Sequence, residues 1–201
     1  MKQSKTLRLA QLAMLAAIII VLQQIVIPLP GPGNLTLSLV LIPIVVGAVL
    51  IGPVSGADLG GVYGAEVTIL VITGRAGALS TMMWTENPVM TVLICMIKGI
   101  GAGFVPGLIA KAFKKHSFAG IVLASAVAPI VNTGIFLLGL LTVFHDLLVK
   151  VAADLNWSGG SMVYFALVVI VGINFVIELA ASIVLSPTVS AIVKAVRKVK
   201  N

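Results

Sequence analysis

Residues 118–144 read FAGIVLASAVAPIVNTGIFLLGLLTVF, and no charged side chain interrupts them. A helix needs about 20 consecutive apolar residues to cross the hydrocarbon of a bilayer. The stretch therefore reads as a spanning helix with Pro129 inside it. The chain around it has the same character. Of 201 residues, 60% are hydrophobic and 9% are charged, against about 25% charged in a soluble domain. So few charges cannot cover a water-facing surface, which leaves an integral membrane protein. Six helices of spanning length would use about 120 residues, and no room remains for a second, soluble domain. The expected fold is all-α, six transmembrane helices in a single bundle that takes in residues 1–201.

Working outward from 118–144, the spans fall at about 9–27, 35–51, 57–73, 88–113, 118–144 and 161–193. The first is too long for a signal-peptide core and ends in the Pro/Gly-rich stretch 28–33. The second ends at Gly52-Pro53. The third is the weakest, since it holds Glu66 and several glycines. Pro88 suits the first turn of the fourth helix, and Pro106 is expected to kink its last third. Between spans five and six, Asp146, Lys150 and Asp154 repeat every four residues opposite Leu147, Leu148, Val151 and Leu155. That is the pattern of a short amphipathic helix, lying on the membrane or over a pocket.

The formal charge of +7 is placed as a membrane protein places it. Lys2, Lys5 and Arg8 precede the first span. Lys111, Lys114 and Lys115 lie in one loop, and Lys194, Arg197, Lys198 and Lys200 close the sequence. Six spans put all three clusters on one side, the cytoplasmic side by the positive-inside rule, with both termini there. The expected location is the bacterial plasma membrane. The same distribution argues against a nucleic-acid partner. Cys95 is the lone cysteine, so there is no Cys-based metal site. His116 and His145 lie on opposite sides and cannot share a metal.

Ionisable groups at bilayer depth are functional suspects. They are Glu66, Lys98 and Glu178, with amides at Asn132 and Asn174. At 1.5 Å per residue from the outer end, Glu66 lies about 10 Å deep, Lys98 about 15 Å, Asn132 and Asn174 about 18 Å, and Glu178 about 24 Å. Lys98, Asn132 and Asn174 thus share one level on three helices, and a polar pocket forms if those helices face each other. The alternative is a structural ion pair of Lys98 with Glu66 or Glu178, plus amide bonds between helices. Trp84-Thr85-Glu86-Asn87-Pro88 leads into the fourth span. There it offers free N–H groups for a ligand, or an interfacial Trp and a capping Asn. Asn132-Thr133-Gly134 invites close approach and hydrogen bonding. Tyr63 either lines the same cavity or packs. In the first span Ala10, Ala13, Ala16 and Ala17 put small residues together, with Ala-x-x-x-Ala at Ala13 and Ala17. Such residues let helices pack closely, within the bundle or against a partner.

No catalytic constellation is present: no Walker A sequence, no Gly-x-Ser-x-Gly, no His-Glu-x-x-His. No site for a metal or cofactor is expected, and the chain reads as a non-enzyme. It would be a channel, a solitary carrier or one subunit of a larger transporter.

Six spans in about 200 residues, basic termini, an Ala-rich first helix, a Pro/Gly-rich first outer loop and the Trp-Thr-Glu-Asn-Pro lead-in together resemble a known family. It is the S-component, the substrate-binding membrane subunit, of energy-coupling factor vitamin transporters. The resemblance implies a bundle that binds a vitamin near its outer face. It also implies docking on a transmembrane coupling subunit that carries two cytosolic ATPase subunits, with release of the vitamin inside. The family's docking motif falls on Ala13 and Ala17, with Ala10 and Ala16 beside it. Its pocket falls on Trp84, Glu86, Asn87, Lys98, Asn132, Thr133 and Asn174. An aromatic-poor pocket of amides, Thr and Lys suits a small hydroxylated anion, and pantothenate fits, its carboxylate on Lys98 or Arg75. The rival ligand is a hydroxymethylpyrimidine or thiamin-like cation held by Glu86 or Glu178. Outside the family, an autonomous channel or structural membrane subunit remains.

Overall fold

The structure is a computed structural model. It describes residues 5–25, 27–28, 36–37, 39–113 and 117–198. The described chain is helical except for one two-stranded ribbon. Helix α1 (Lys5–Gln24) leads to strands β1 (Ile27–Pro28) and β2 (Thr36–Leu37). These pair antiparallel, Ile27 opposite Leu37. Then follow α2 (Leu41–Leu50), α3 (Pro53–Ile72), α4 (Ala78–Glu86), α5 (Pro88–Ala112), α6 (Phe118–Thr142) and α7 (His145–Asp154). The last part is α8 (Met162–Tyr164), a π-helical stretch Phe165–Ile170, α9 (Gly172–Val184) and α10 (Ser186–Lys198).

Local chemistry sets many of these boundaries. Gly52 adopts φ 134° and Pro53 opens α3. Asn87 caps α5, its Oδ1 accepting from the Met90 N–H at 3.1 Å, with Pro88 in the first turn. Ser117 caps α6 by accepting from the Gly120 N–H at 3.0 Å. Helices α5 and α6 run on as continuous elements through Pro106 and Pro129. Helix α7 follows the amphipathic pattern of its sequence, burying Leu147, Leu148 and Ala152, except that Leu155 lies beyond its end and is exposed.

Three helices, α1, α5 and α6, are each long and apolar enough to cross a membrane, and the bent unit 162–184 is a fourth candidate. Helix α3, the expected third span, is 20 residues long but is not among these candidates, and two other expected spans take another form. In 35–51 the helix begins only at Leu41, after β2. Ten residues of α2 rise about 15 Å, half of a hydrocarbon core. The run 161–193 is not one straight rod. It bends by 54° between its π-helical part and α9, where the Val171 N–H reaches back to the Ala166 carbonyl. It is interrupted again before α10, where Pro187 cannot continue the α9 ladder. The first loop and parts of the basic clusters (residues 29–35, Lys2, Lys114, Lys115, His116, Lys200) lie outside the described residues.

Helices α3 and α5 make the most extensive contact in the bundle. Gly56, Gly60 and Gly64 face Gly103, Gly99 and Cys95, backbone to backbone. A Cβ on Gly60 would collide with the Gly99 carbonyl, and one on Gly103 with that of Gly56. Lipid tails are as apolar as leucine, so close packing rather than the hydrophobic effect holds such a seam. Around it, α2 is buried along most of its length, and Ile44, Val45, Val49, Leu59, Ile121, Ala124 and Ala128 form the centre of the bundle. Helix α1 sits at the edge. Ile19 is its one buried side chain, while Leu9, Met14, Ile18, Ile20 and Val21 are exposed.

Candidate ligand-binding site

Helices α3, α5, α6 and α9 enclose a cavity of about 210 Å³. Tyr63 on α3, Lys98 on α5, Asn132 and Thr133 on α6, and Asn174 on α9 all line it. These side chains come from distant sequence positions, and Lys98, Asn132 and Asn174 are the three that were expected to share a pocket. Ser80 on α4, Phe136 on α6, Ile170 and Val171 at the helix break, and Phe175 and Glu178 on α9 complete the wall. The break itself is therefore part of the site. A π-helical turn widens a helix and re-aims the side chains after it, and here Asn174 and Glu178 follow it on one face.

The cavity carries both signs of charge. The Lys98 ammonium sits 5.2 Å from the centroid of the Phe136 ring, a cation–π arrangement that steadies a cation away from water. Glu178 lies close enough to Lys98 to attract it. Even so, the ion pairs within 4 Å among the described residues are His145–Asp146 and Lys150–Glu86. Asn132 is 9% exposed, and its Oδ1 is buried without a hydrogen-bond partner. Its side chain bonds that of Tyr63. Leaving such an acceptor unpaired costs about 1–3 kcal/mol, so a ligand donor reaching it gains that much.

Glu66 is not Lys98's partner. Its Oε1 accepts from the Gln24 side chain at 2.7 Å, tying the end of α1 to α3. Four residues expected at the pocket do not line it. Asn87 is spent on its cap. Trp84 packs half-buried against the main apolar core. Glu86 lies in a separate surface cleft between α4 and α7, 3.8 Å from Lys150. Arg75 is exposed in the turn after α3. Gly134 has open space beside it rather than a close neighbour.

The expectation of an aromatic-poor pocket also fails, because Tyr63, Phe136 and Phe175 are three rings in its wall. The sequence signal for them was weak. Phe136 stands one turn beyond Asn132, and Phe175 adjoins Asn174, but phenylalanines in apolar runs look alike whether they face lipid or ligand. Glu178 carried a better signal, one turn from Asn174 on the same face. Among the described residues no three His, Cys, Asp or Glu gather as a metal site would need. The pocket offers hydrogen bonds, charge and ring faces.

On α1, Ala10, Ala13 and Ala17 are exposed, and Ala16 is half-buried against the core. The bundle thus leaves Ala13 and Ala17 unused for its own packing. Beside them α1, α2 and α10 border an apolar groove of about 370 Å³, lined by Leu15, Ile18, Val46 and Ile192 among others.

Comparison with known proteins agrees with this architecture. A family model described as "ECF transporter, substrate-specific component" matches residues 7–190. A solved structure, described as the S component of a bacterial ECF transporter, superposes with a TM-score of 0.53 at 18% identity. It covers 97% of this chain and 95% of its own. No curated protein matches by sequence.

Proposed function

Because the chain belongs to the substrate-specific components of energy-coupling factor transporters, we propose that it captures a pantothenate-like hydroxylated acid in the cavity between α3, α5, α6 and α9. Membership of that family makes it a membrane transport subunit, whose ATPase subunits are separate partners, and sets aside an autonomous channel. The finer reading rests on one observation. Lys98, Asn132, Thr133, Asn174 and Tyr63, drawn from four helices, meet in a single cavity. At about 210 Å³ the cavity lies below the usual range of roughly 300–1,000 Å³ for ligand sites, which favours a small vitamin over a large fused-ring one. Lys98 holds the carboxylate, and the amides and hydroxyls of the wall hold the rest. Three rings and Glu178 favour a second reading, a pyrimidine or thiamin-like cation. Mass spectrometry of the vitamin that co-purifies with the isolated chain decides between them. Pantothenate is the expected species, and a pyrimidine cation overturns it.

Both termini face the cytoplasm, and the pocket opens outward. Transport then follows from docking of the exposed α1 face, Ala13 and Ala17, on the transmembrane coupling subunit. Ala13→Trp puts a large side chain where close approach is needed. It is expected to leave ligand affinity of the isolated subunit unchanged and to abolish uptake in cells that carry the full complex. Normal uptake by a stably expressed Ala13→Trp protein removes α1 from the docking face.

A further inference from the structure

The cavity holds acceptors as well as donors, a set that a plain carboxylic acid does not satisfy. Lys98 supplies donors alone. Asn132 Oδ1 is an acceptor, buried and unpartnered. Glu178 lines the same wall, and among the described residues no ion pair within 4 Å holds it. A carboxyl group keeps at least one acceptor oxygen whether ionised or protonated. The cavity therefore offers donors at Lys98 and acceptors at Asn132 on α6 and Glu178 on α9. A ligand that satisfies all three carries a negative group for Lys98 and hydrogen-bond donors, hydroxyl or amide N–H, for Asn132 and Glu178.

We infer that Glu178 is a specificity residue of the site: it accepts a hydrogen bond from a ligand hydroxyl and selects hydroxylated acids over acids of the same shape without hydroxyls. This rests on the reading of the cavity as the site of a pantothenate-like acid. A site built to bond a ligand hydroxyl discriminates strongly against the analogue that lacks it, because the buried acceptor is then left unpaired. If Glu178 instead only balances the charge of Lys98, it acts on any carboxylate alike and does not register the hydroxyls.

The test is a titration of the purified full-length subunit with two ligands: pantothenate, and the same N-acyl-β-alanine without its hydroxyls. The native protein is expected to prefer pantothenate by on the order of 10–100-fold, the scale of one hydrogen bond to a charged group. Glu178→Met keeps the bulk and removes the acceptor. It is expected to bring the preference within about threefold while leaving the deoxy ligand's affinity in place. Glu178→Gln, which retains an acceptor oxygen, is expected to fall between. Equal binding of both ligands by the native protein overturns the inference, without reliance on any variant. So does a preference that persists in a folded Glu178→Met protein, or one in which both affinities fall by the same factor. If the native protein binds neither acid, the pantothenate reading itself is wrong and the inference falls with it.

Discussion

Two seams of the bundle are built on opposite principles. Between α3 and α5, glycines bring the backbones into contact and no space is left. Between α6 and the 162–184 unit, one partner is bent by 54° at a π-helical break, and a cavity opens beside it. The first seam is built mainly on glycines, and the second uses Asn, Glu, Thr and Phe. A membrane bundle has little hydrophobic drive to hold helices together. A rigid wall on one side is what allows the other to depart from ideal packing and present unpaired polar atoms. Tyr63 belongs to both, since it stands on the glycine-packed helix and faces the cavity. The rigid seam thereby positions one wall of the polar one.

If this division holds, substitutions in the first seam act on stability and those in the second on binding. The largest effect is expected at Gly60→Leu, which drives a side chain into the Gly99 carbonyl. Backbone cannot yield as a flexible side chain does, so a loss above about 4 kcal/mol is expected, at the extreme of single-site effects. Thermal unfolding in detergent measures it. A Gly60→Leu protein that unfolds like the native one would break the comparison at its rigid end.

Lys98→Met comes next, on the other seam. If the ligand is the proposed carboxylic acid, removing the cation leaves its carboxylate unpaired, which costs roughly 2–4 kcal/mol of affinity. The unfolding temperature of the ligand-free protein is expected to stay near native, since Lys98 makes no ion pair within 4 Å among the described residues. Loss of stability with retained affinity would place Lys98 in the scaffold instead.

Asn132→Ala is expected to weaken binding by about 1–3 kcal/mol, the cost of a lost buried partner. Isothermal titration that finds unchanged affinity would remove Asn132 from the contact set. The smallest effect is expected at Gly134→Ala. It lies beside the pocket residues, yet its Cβ would meet nothing within 4 Å. Alanine is the better helix former, so stability should hold or rise by up to about 1 kcal/mol. A clear loss there would show that the open seam is as tightly packed as the closed one.

The glycine seam was partly legible. Gly56, Gly60 and Gly64, and Gly99, Gly103 and Gly107, each recur every four residues, the spacing of one helix face. Read locally, the first three suggested only a weak third span. The stretch 84–87 shows the converse limit. Trp, Glu and Asn before a helix suit a ligand site as well as they suit a cap, and here Asn87 caps while Glu86 faces Lys150. The break at Val171 had little to announce it beyond Gly172, and a glycine in an apolar helix has many other uses.

What the sequence by itself determined is what accumulates along the chain. Apolar length decides membrane residence, and a rise of 1.5 Å per residue singled out Lys98, Asn132 and Asn174 as candidates for one pocket. The tertiary structure alone decided which way each residue points around its helix. Rotation depends on the packing of neighbours, on glycines closing one seam and a π-helical break opening another. That rotation turns Lys98, Asn132, Asn174 and Glu178 into one cavity, gives Glu66 to Gln24, and leaves Ala13 and Ala17 on the outside of the bundle.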